Sequence, residues 1–314
     1  MGPGGGALPV RKITWKWIKR RIAEGYGSGH GEHYKPWLAV GQSGVPGRSN
    51  QKLVVMPGRM TRAATMSRGE ERVALVLYWL GVSDVRTQYP MWPMRHAHPG
   101  TDIPGFDWPA NSLVAGLLDI AKVAGIIHGI ELGTNVPYVA TLDIVVTHEL
   151  YGRPELAAIS IKPRDLLNSA GPNSRMLQRL ELERRYAQEA KLPYVIADRH
   201  VIPDVLWTNV NDLCPRKFVI DATQKHETFM REFEQFANQS ILELTKREIE
   251  IAAQRAFRRT RVEIQWALRQ LMWSSSLDID LSKPIIENAT LPLGATRIKK
   301  ALMGNLLPRK PRNV

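Results

Sequence analysis

The alternation of apolar and polar positions is most regular between residues 66 and 205. Apolar positions at helical spacing predict three helices in this region, over 67–79, 112–124 and 176–190. Runs of β-branched and apolar residues bounded by turn residues predict four strands, over 84–90, 138–147, 156–162 and 192–197. Because helices and strands alternate along the chain, we expect an α/β core built on a mixed β-sheet.

Two of the predicted strands are joined by strong turn residues at 151–154, Tyr-Gly-Arg-Pro. An antiparallel pair that turns there places Asp143 opposite roughly position 161. Ser160 and Lys162 then share one face, because side chains alternate along a strand. A carboxylate and a lysine would meet in the middle of a sheet, where charged groups are rare unless paired or functional. This is the skeleton of a PD-(D/E)xK nuclease site, in which carboxylates hold Mg²⁺ and the lysine contacts the attacking water.

Beyond residue 205 the predicted strands largely stop. Phenylalanine and other apolar positions at helical spacing predict one helix over 226–244 and a second over 246–273. The second helix carries a basic cluster that fits either a DNA contact or an exposed solvated face. Its members are Arg255, Arg258, Arg259 and Arg261.

The first 66 residues are strongly basic, with eleven Lys and Arg against two Glu. Residues 13–22 predict a short helix with Ile18 and Ile22 on one face, and a glycine-rich run over 25–31 ends it. Basic side chains interleaved with Trp and Tyr suit a nucleic-acid backbone with some base stacking. The alternative is a solvated arm whose tryptophans dock on the body of the protein. The candidate nucleic-acid contacts here are Lys16, Lys19, Arg20, Arg21 and Arg48.

The overall charge narrows the class of partner. The 314 residues hold 43 Lys and Arg against 30 Asp and Glu, a net charge of +13, which favours a polyanion, nucleic acid before an anionic membrane. Cys214 is the one cysteine, so an intrachain disulfide and a cysteine zinc cluster are excluded. No apolar stretch reaches the roughly 18 residues of a membrane span. The opening Met-Gly-Pro-Gly-Gly-Gly lacks a signal core, so we expect a cytoplasmic, nucleoid-associated protein.

Seven blocks of sequence carry a more specific signal, because they occur in one order across residues 24–205. They are 24–38, 45–49, 67–70 with Trp79, 84–90, 139–143, 161–163 and 180–186. Together they resemble the TnsA family, the endonuclease subunits of heteromeric cut-and-paste transposons. The region after residue 205 matches that family only loosely.

The resemblance implies a restriction-endonuclease-like mixed sheet flanked by helices, followed by a mainly helical, winged-helix-like C-terminal domain. It implies that the protein cleaves the 5′, non-transferred strands of double-stranded DNA at transposon ends. A TnsB-like transposase would cut and join the 3′ ends, and a TnsC-like AAA+ ATPase would couple both proteins to the target. The implied cofactor is Mg²⁺, as two ions, with Mn²⁺ as a substitute.

Site residues follow from the resemblance by position. Glu70 matches the family's helix-borne glutamate, Asp143 its metal-binding aspartate and Lys162 its lysine. Ser160 stands where the family more often has Gln or Glu, so a metal there would rest on waters, DNA phosphate and the Ile161 carbonyl. Glu71 is the alternative to Glu70, since the two point about 100° apart around a helix.

We therefore expect a basic arm over 1–50, a nuclease domain over 51–205 and a helical domain over 206–314 that binds DNA or a partner protein. Two other functions remain compatible with the sequence. One is a stand-alone restriction or junction-resolving nuclease, and the other is a non-catalytic DNA-binding assembly factor with a degenerate nuclease core.

Overall fold

The computed structural model describes residues 13–38, 51–55, 62–101, 103–106, 109, 112–198, 200–215 and 224–307. Arg48, one of the candidate DNA contacts, lies outside these residues. The chain divides into two compact units. The first comprises Met1–Val54, Arg59–Glu71 and Ser83–Arg199, and the second comprises Val55–Gly58, Arg72–Val82 and His200–Val314.

Helices and strands are interspersed before residue 199, which agrees with the predicted α/β core. In chain order they are α1 (Trp15–Ala23), a 3₁₀ turn (Gly31–His33), β1 (Lys52–Val55), β2 (Arg62–Thr65), α2 (Arg68–Trp79), β3 (Asp84–Met91), β4 (His96–Ala97), β5 (Leu113–Val114), α3 (Leu117–Ala124), β6 (Ala140–Leu150), β7 (Arg153–Ile161), α4 (Arg164–Ser169), α5 (Arg175–Glu189) and β8 (Tyr194–Ala197).

The central sheet of the first unit has the strand order β3-β6-β7-β8. The β3–β6 and β6–β7 pairs are antiparallel and the β7–β8 pair is parallel, so the predicted mixed sheet is confirmed. The β6–β7 hairpin turns between Leu150 and Arg153, as the turn residues predict. Its register pairs Ile144 with Ile159. Continued by one step, that register sets position 143 opposite 160, one residue from the predicted partner.

The helix predicted over 112–124 is shorter than expected. Leu113 and Val114 instead form β5, which pairs with β4, and α3 begins only at Leu117. Gly116 lies at the junction, where an added Cβ would stand 2.3 Å from the Pro93 carbonyl oxygen. Close backbone packing at this glycine therefore starts the helix later than the apolar spacing indicates.

The short helix predicted near the start of the chain is confirmed as α1. Its predicted apolar face is wrong in one position, because Ile18 is fully buried whereas Ile22 is 37% exposed. Ile18 packs in a small core with Trp37, Trp92 and Val139. The described part of the basic segment is thus folded onto the first unit through its aromatic residues.

The second unit is built from helices: the greater part of α2, then α6 (Asp204–Leu213), α7 (Gln224–Ser240), α8 (Lys246–Phe257), α9 (Arg261–Ser274) and α10 (Ala295–Leu306). The single helix predicted over 246–273 is wrong, since α8 and α9 are separate. Arg258 ends α8 with a left-handed backbone, φ 51°, and Thr260 caps α9 by accepting the N–H of Glu263. Because the apolar spacing continues across this break, the sequence pattern predicts one continuous helix.

The core of the second unit contains the apolar positions that the spacing predicts. The rings of Phe229, Phe233, Phe236 and Phe257 pack together with centroid distances between 5.6 and 6.4 Å. Between residues 224 and 307 the described chain adds only isolated β-bridges to these helices. The winged-helix-like form of this region stays a prediction. Within the described residues, none of the helices is long and apolar enough to span a membrane.

Candidate active site

Glu70 lies in the first turn of α2, where local sequence fixes its backbone. Ser67 precedes the helix, and its Oγ accepts the Glu70 N–H at 3.2 Å, as an N-capping serine does. The Glu70 carboxylate is 6% exposed and accepts three hydrogen bonds. The donors are the Met66 N–H at 2.8 Å, the Ser67 hydroxyl at 3.1 Å and the Gln88 Nε2 at 2.8 Å.

Asp143 and Lys162 meet on the hairpin, as the strand pattern predicts. The Lys162 Nζ donates to Asp143 Oδ2 at 2.5 Å, and the Ile161 N–H donates to the same oxygen at 2.7 Å. Both side chains are largely shielded, with Asp143 14% and Lys162 23% exposed. The pair therefore combines a charge-assisted hydrogen bond with partial access to solvent.

The charges of these three residues act on one another. Burial and the negative charge of Asp143 raise the pKa of Glu70 to about 7, although its hydrogen bonds oppose the shift. Burial alone would lower the pKa of Lys162, but Asp143, Glu183 and Glu70 outweigh it and raise that pKa. Two carboxylates thus lie close enough to repel each other beside one ammonium group. A bound cation would relieve that repulsion.

Glu71 occupies a different position from Glu70. Its carboxylate is buried and accepts a hydrogen bond from Lys52 Nζ at 3.0 Å. Helical geometry therefore turns one of the two neighbouring acids toward Asp143 and the other toward β1. The structure places Glu70 at the candidate site, and its role there stays a prediction.

Ser160 is fully buried, and its hydroxyl donates to a carboxylate that the sequence interpretation did not assign, that of Glu183. Glu183 lies on α5, is 2% exposed and also accepts a hydrogen bond from the Tyr194 hydroxyl at 3.0 Å. Burial and the charge of Asp143 raise the pKa of Glu183 even though Lys162 lowers it. The sequence did hold a signal, because Glu183 shares the apolar face of α5 with Leu180 and Tyr186.

We expect Glu183→Gln to impair cleavage more than Ser160→Ala. Glu183 supplies a negative charge that helps to hold Lys162 protonated, whereas Ser160 only donates to that carboxylate. Ser160→Ala should instead lower the free energy of unfolding by about 1–3 kcal/mol, because the buried Glu183 Oε2 loses one of its two donors and keeps only the Tyr194 hydroxyl. DNA cleavage rates and urea unfolding of both variants check this. Loss of cleavage in Ser160→Ala at unchanged stability would make the serine itself the functional group.

The donor chemistry of the site fits a hard divalent cation. Glu70 and Asp143 offer carboxylate oxygens, the ligands that Mg²⁺ prefers, and the repulsion between them is relieved by positive charge. Among the described residues, no group of three His, Cys, Asp or Glu side chains is arranged to hold a metal ion. A cation at this place would therefore depend on two carboxylates, with DNA phosphate, backbone or water completing its coordination.

Arg21 differs from the other basic candidates of α1, because its side chain packs against neighbouring residues. Its guanidinium donates to the Trp37 carbonyl at 2.5 Å and lies over the rings of Trp17, Tyr26 and Trp37 at 3.8 to 4.9 Å. This cation–π packing makes Arg21 part of the fold. The candidates of α1 that are exposed to solvent are Lys16, Lys19 and Arg20.

The basic cluster of the second unit lies at the break between α8 and α9 rather than along one helix. Arg255 and Arg258 are exposed. Arg259 pairs with Glu263 at 2.8 Å and lies over the ring of Phe229, while Arg261 stands 3.8 Å from Glu250. Part of this cluster is therefore engaged in internal contacts.

The sequence is similar to that of a known transposition protein over part of its length. No protein-family model matches the sequence. The chain is 33% identical over 190 residues to the transposon Tn7 transposition protein TnsA of Escherichia coli, a match that covers 60% of this chain. The chain spans about three fifths of that relative's length, 59%. The resemblance to the TnsA family that the sequence indicates is thereby confirmed, and over these 190 residues the chain is TnsA-like.

Proposed function

We propose that this chain is a metal-dependent DNA endonuclease of the TnsA type that cleaves the 5′ strands at transposon ends. The observation that carries the proposal is the convergence of Glu70, Asp143 and Lys162, from a helix and two strands, in a chain similar to TnsA. Separated segments deliver two carboxylates and a lysine to one place, and metal-assisted phosphodiester hydrolysis uses these groups.

Glu70 and Asp143 would hold Mg²⁺, with Mn²⁺ as a substitute. When bound, the ion lowers the pKa of a coordinated water and neutralises charge that develops on the phosphate and the leaving 3′ oxygen. Glu70 is prepared for this role by its three hydrogen bonds, which fix the carboxylate before any cation arrives. A second ion, which the family resemblance implies, would need DNA phosphate oxygens as further ligands.

Lys162 would act as a cation rather than as a base. Its raised pKa keeps the ammonium group protonated at neutral pH, so it has no lone pair with which to accept a proton. An ammonium held by Asp143 can orient the attacking water and stabilise the added negative charge on the phosphate. The buried Glu183 supports this role by placing a second negative charge near the lysine.

The protein would work with two partners, a TnsB-like transposase that cuts and joins the 3′ ends and a TnsC-like ATPase. A single active centre of this kind hydrolyses one strand per encounter, which suits a division of labour between two nucleases. The helical second unit is a candidate docking surface for the ATPase. These partner assignments rest on the similarity to TnsA.

A strand-specific cleavage assay on transposon-end DNA tests the proposal. We expect Mg²⁺-dependent cleavage of the 5′ strand when the products of the neighbouring genes are present. Cleavage of DNA by the purified chain alone would favour a stand-alone restriction or junction-resolving nuclease. Absence of cleavage under every condition, with DNA binding retained, would leave a non-catalytic assembly factor.

The exposed face of α1 is the proposed contact to the DNA backbone in the first unit. Replacing Lys16, Lys19 and Arg20 by Ala should flatten the dependence of log K on log salt by about 1–3 units, because each phosphate contact contributes about 0.9. The control replaces three other exposed bases of this unit, Lys122, Arg153 and Lys191. Equal slopes for the two triple variants would remove α1 from the DNA interface.

A further inference from the structure

Gln88 has a backbone conformation that is unusual inside a strand. It lies in β3, is 2% exposed, and has a left-handed φ of 52°. The register pairs Thr87 with Ile144 and Tyr89 with Leu142, so position 88 stands opposite Asp143. A residue with a side chain is strained in this region and persists there only where the surrounding structure imposes it.

Neighbouring segments impose this conformation. The Trp37 N–H donates to the Gln88 carbonyl at 3.3 Å, and the Tyr34 hydroxyl donates to the Thr87 carbonyl at 3.0 Å. Tyr34 and Trp37 are themselves buried. The segment that follows α1 therefore braces the strand at the point where it passes the candidate site.

The side chain of Gln88 joins this braced strand to Glu70. The Thr141 hydroxyl donates to Gln88 Oε1 at 3.0 Å, and Gln88 Nε2 donates to Glu70 Oε2 at 2.8 Å. In the ionised form that would bind a cation, the Glu70 carboxylate can only accept, so the NH₂ end of the Gln88 amide faces it. Glu70 Oε2 then accepts two hydrogen bonds, whereas Oε1 accepts one, from Ser67. The other oxygen, Oε1, keeps more lone-pair capacity for a cation.

We propose that Gln88 is a positioning residue: through the Thr141–Gln88–Glu70 chain of hydrogen bonds it fixes the rotation of the Glu70 carboxylate for binding a divalent cation. The inference rests on the proposed function, because it assigns Glu70 as a cation ligand. A partner that orients a metal ligand in this way typically contributes about 10- to 100-fold in metal affinity. The strained backbone then places the Gln88 amide within hydrogen-bonding distance of Glu70.

Three variants separate this role from a purely structural one. Gln88→Met keeps the length of the side chain but removes the donor. Gln88→Asn keeps an amide and tolerates the left-handed backbone better, yet it is one methylene too short to reach Glu70. Thr141→Val keeps the shape of position 141 but removes the hydroxyl that orients the Gln88 amide.

Isothermal titration of the full chain with Mn²⁺ in the absence of DNA measures cation affinity directly, and thermal unfolding measures stability. We expect Gln88→Met and Gln88→Asn to bind Mn²⁺ about 10- to 100-fold more weakly than the parent. Gln88→Asn should remain folded, because its better fit to the left-handed backbone offsets part of the stability lost with the hydrogen bond to Glu70. Thr141→Val should weaken binding by a smaller factor. Gln188→Met, the same chemical change at an exposed position of α5, is the matched control and should bind as the parent does.

The outcomes distinguish the inference from the proposed function. Parent-like Mn²⁺ affinity in Gln88→Asn and Thr141→Val, with Asp143→Asn defective, would overturn the role of Gln88 and leave the metal site intact. Failure of the parent to bind Mn²⁺ both without DNA and with transposon-end DNA present would overturn both. Should Gln88→Met fail to fold, Gln88→Asn and Thr141→Val decide the question, because both replacements suit their backbone positions.

Discussion

An Asp143→Asn variant is expected to yield fused donor–target products in place of simple insertions. The amide retains an oxygen that can accept the Ile161 N–H, so the hairpin should remain folded. It removes the charge that holds Lys162 and one of the two proposed anionic ligands. Loss of several kcal/mol of transition-state stabilisation would slow 5′-strand cleavage at least about a thousandfold. The 3′ nicking and joining should persist, because the proposed function assigns them to a partner transposase.

Sequencing the transposition products made with this variant measures the effect. Asp119→Asn, the same change at an exposed position of α3, is the matched control and should give simple insertions. Simple insertions at the parent's frequency from Asp143→Asn would show that residue 143 takes no part in cutting. Loss of both simple insertions and fused products would point to a defect in assembly of the complex rather than in strand cleavage.

A Glu70→Gln variant is expected to be inactive in cleavage yet more stable than the parent when metal is removed. The folded-state pKa of Glu70 is about 7 and the ordinary value is 4.5. Ionising this buried acid at pH 8 therefore costs the folded state up to about 3 kcal/mol, at about 1.4 kcal/mol for each pKa unit. A neutral amide at the same place avoids that cost.

The sign of the pH dependence follows from proton binding. Between pH 4.5 and 7 the folded protein holds the Glu70 proton more tightly than the unfolded chain does, so stability falls as the pH rises. The Glu70→Gln variant does not lose stability in this way as the pH rises. Its advantage should be greatest above pH 7 and should disappear near pH 4, where the acid is protonated in both states.

Urea unfolding in the presence of a chelator, at pH 8 and at pH 5, measures this difference. Glu71→Gln serves as the comparison, because it changes the neighbouring acid that pairs with Lys52. A Glu70→Gln variant less stable than the parent at pH 8 would mean that the hydrogen bonds to Glu70 outweigh the cost of its burial. That result would also mean that repulsion between Glu70 and Asp143 does not favour a cation at the site.

Features that depend on neighbouring residues can be predicted from the sequence alone. Alternation along two runs joined by Tyr151 and Gly152 predicts the hairpin that brings Asp143 to Lys162, and the structure has that contact. A serine followed by two acids predicts the start of α2, and Ser67 caps it. These signals are local, since strand alternation and helix caps need no knowledge of distant segments.

Other contacts depend on how one element packs against another, which neighbouring residues do not indicate. The pairing of Ser160 with Glu183 joins β7 to α5, and the bond from Gln88 to Glu70 joins β3 to α2. The sequence predicts Arg21 as a DNA contact. In the folded chain its guanidinium instead packs against aromatic rings. In each case a polar group is shielded against partners from other elements, and only the packing of separate elements selects those partners.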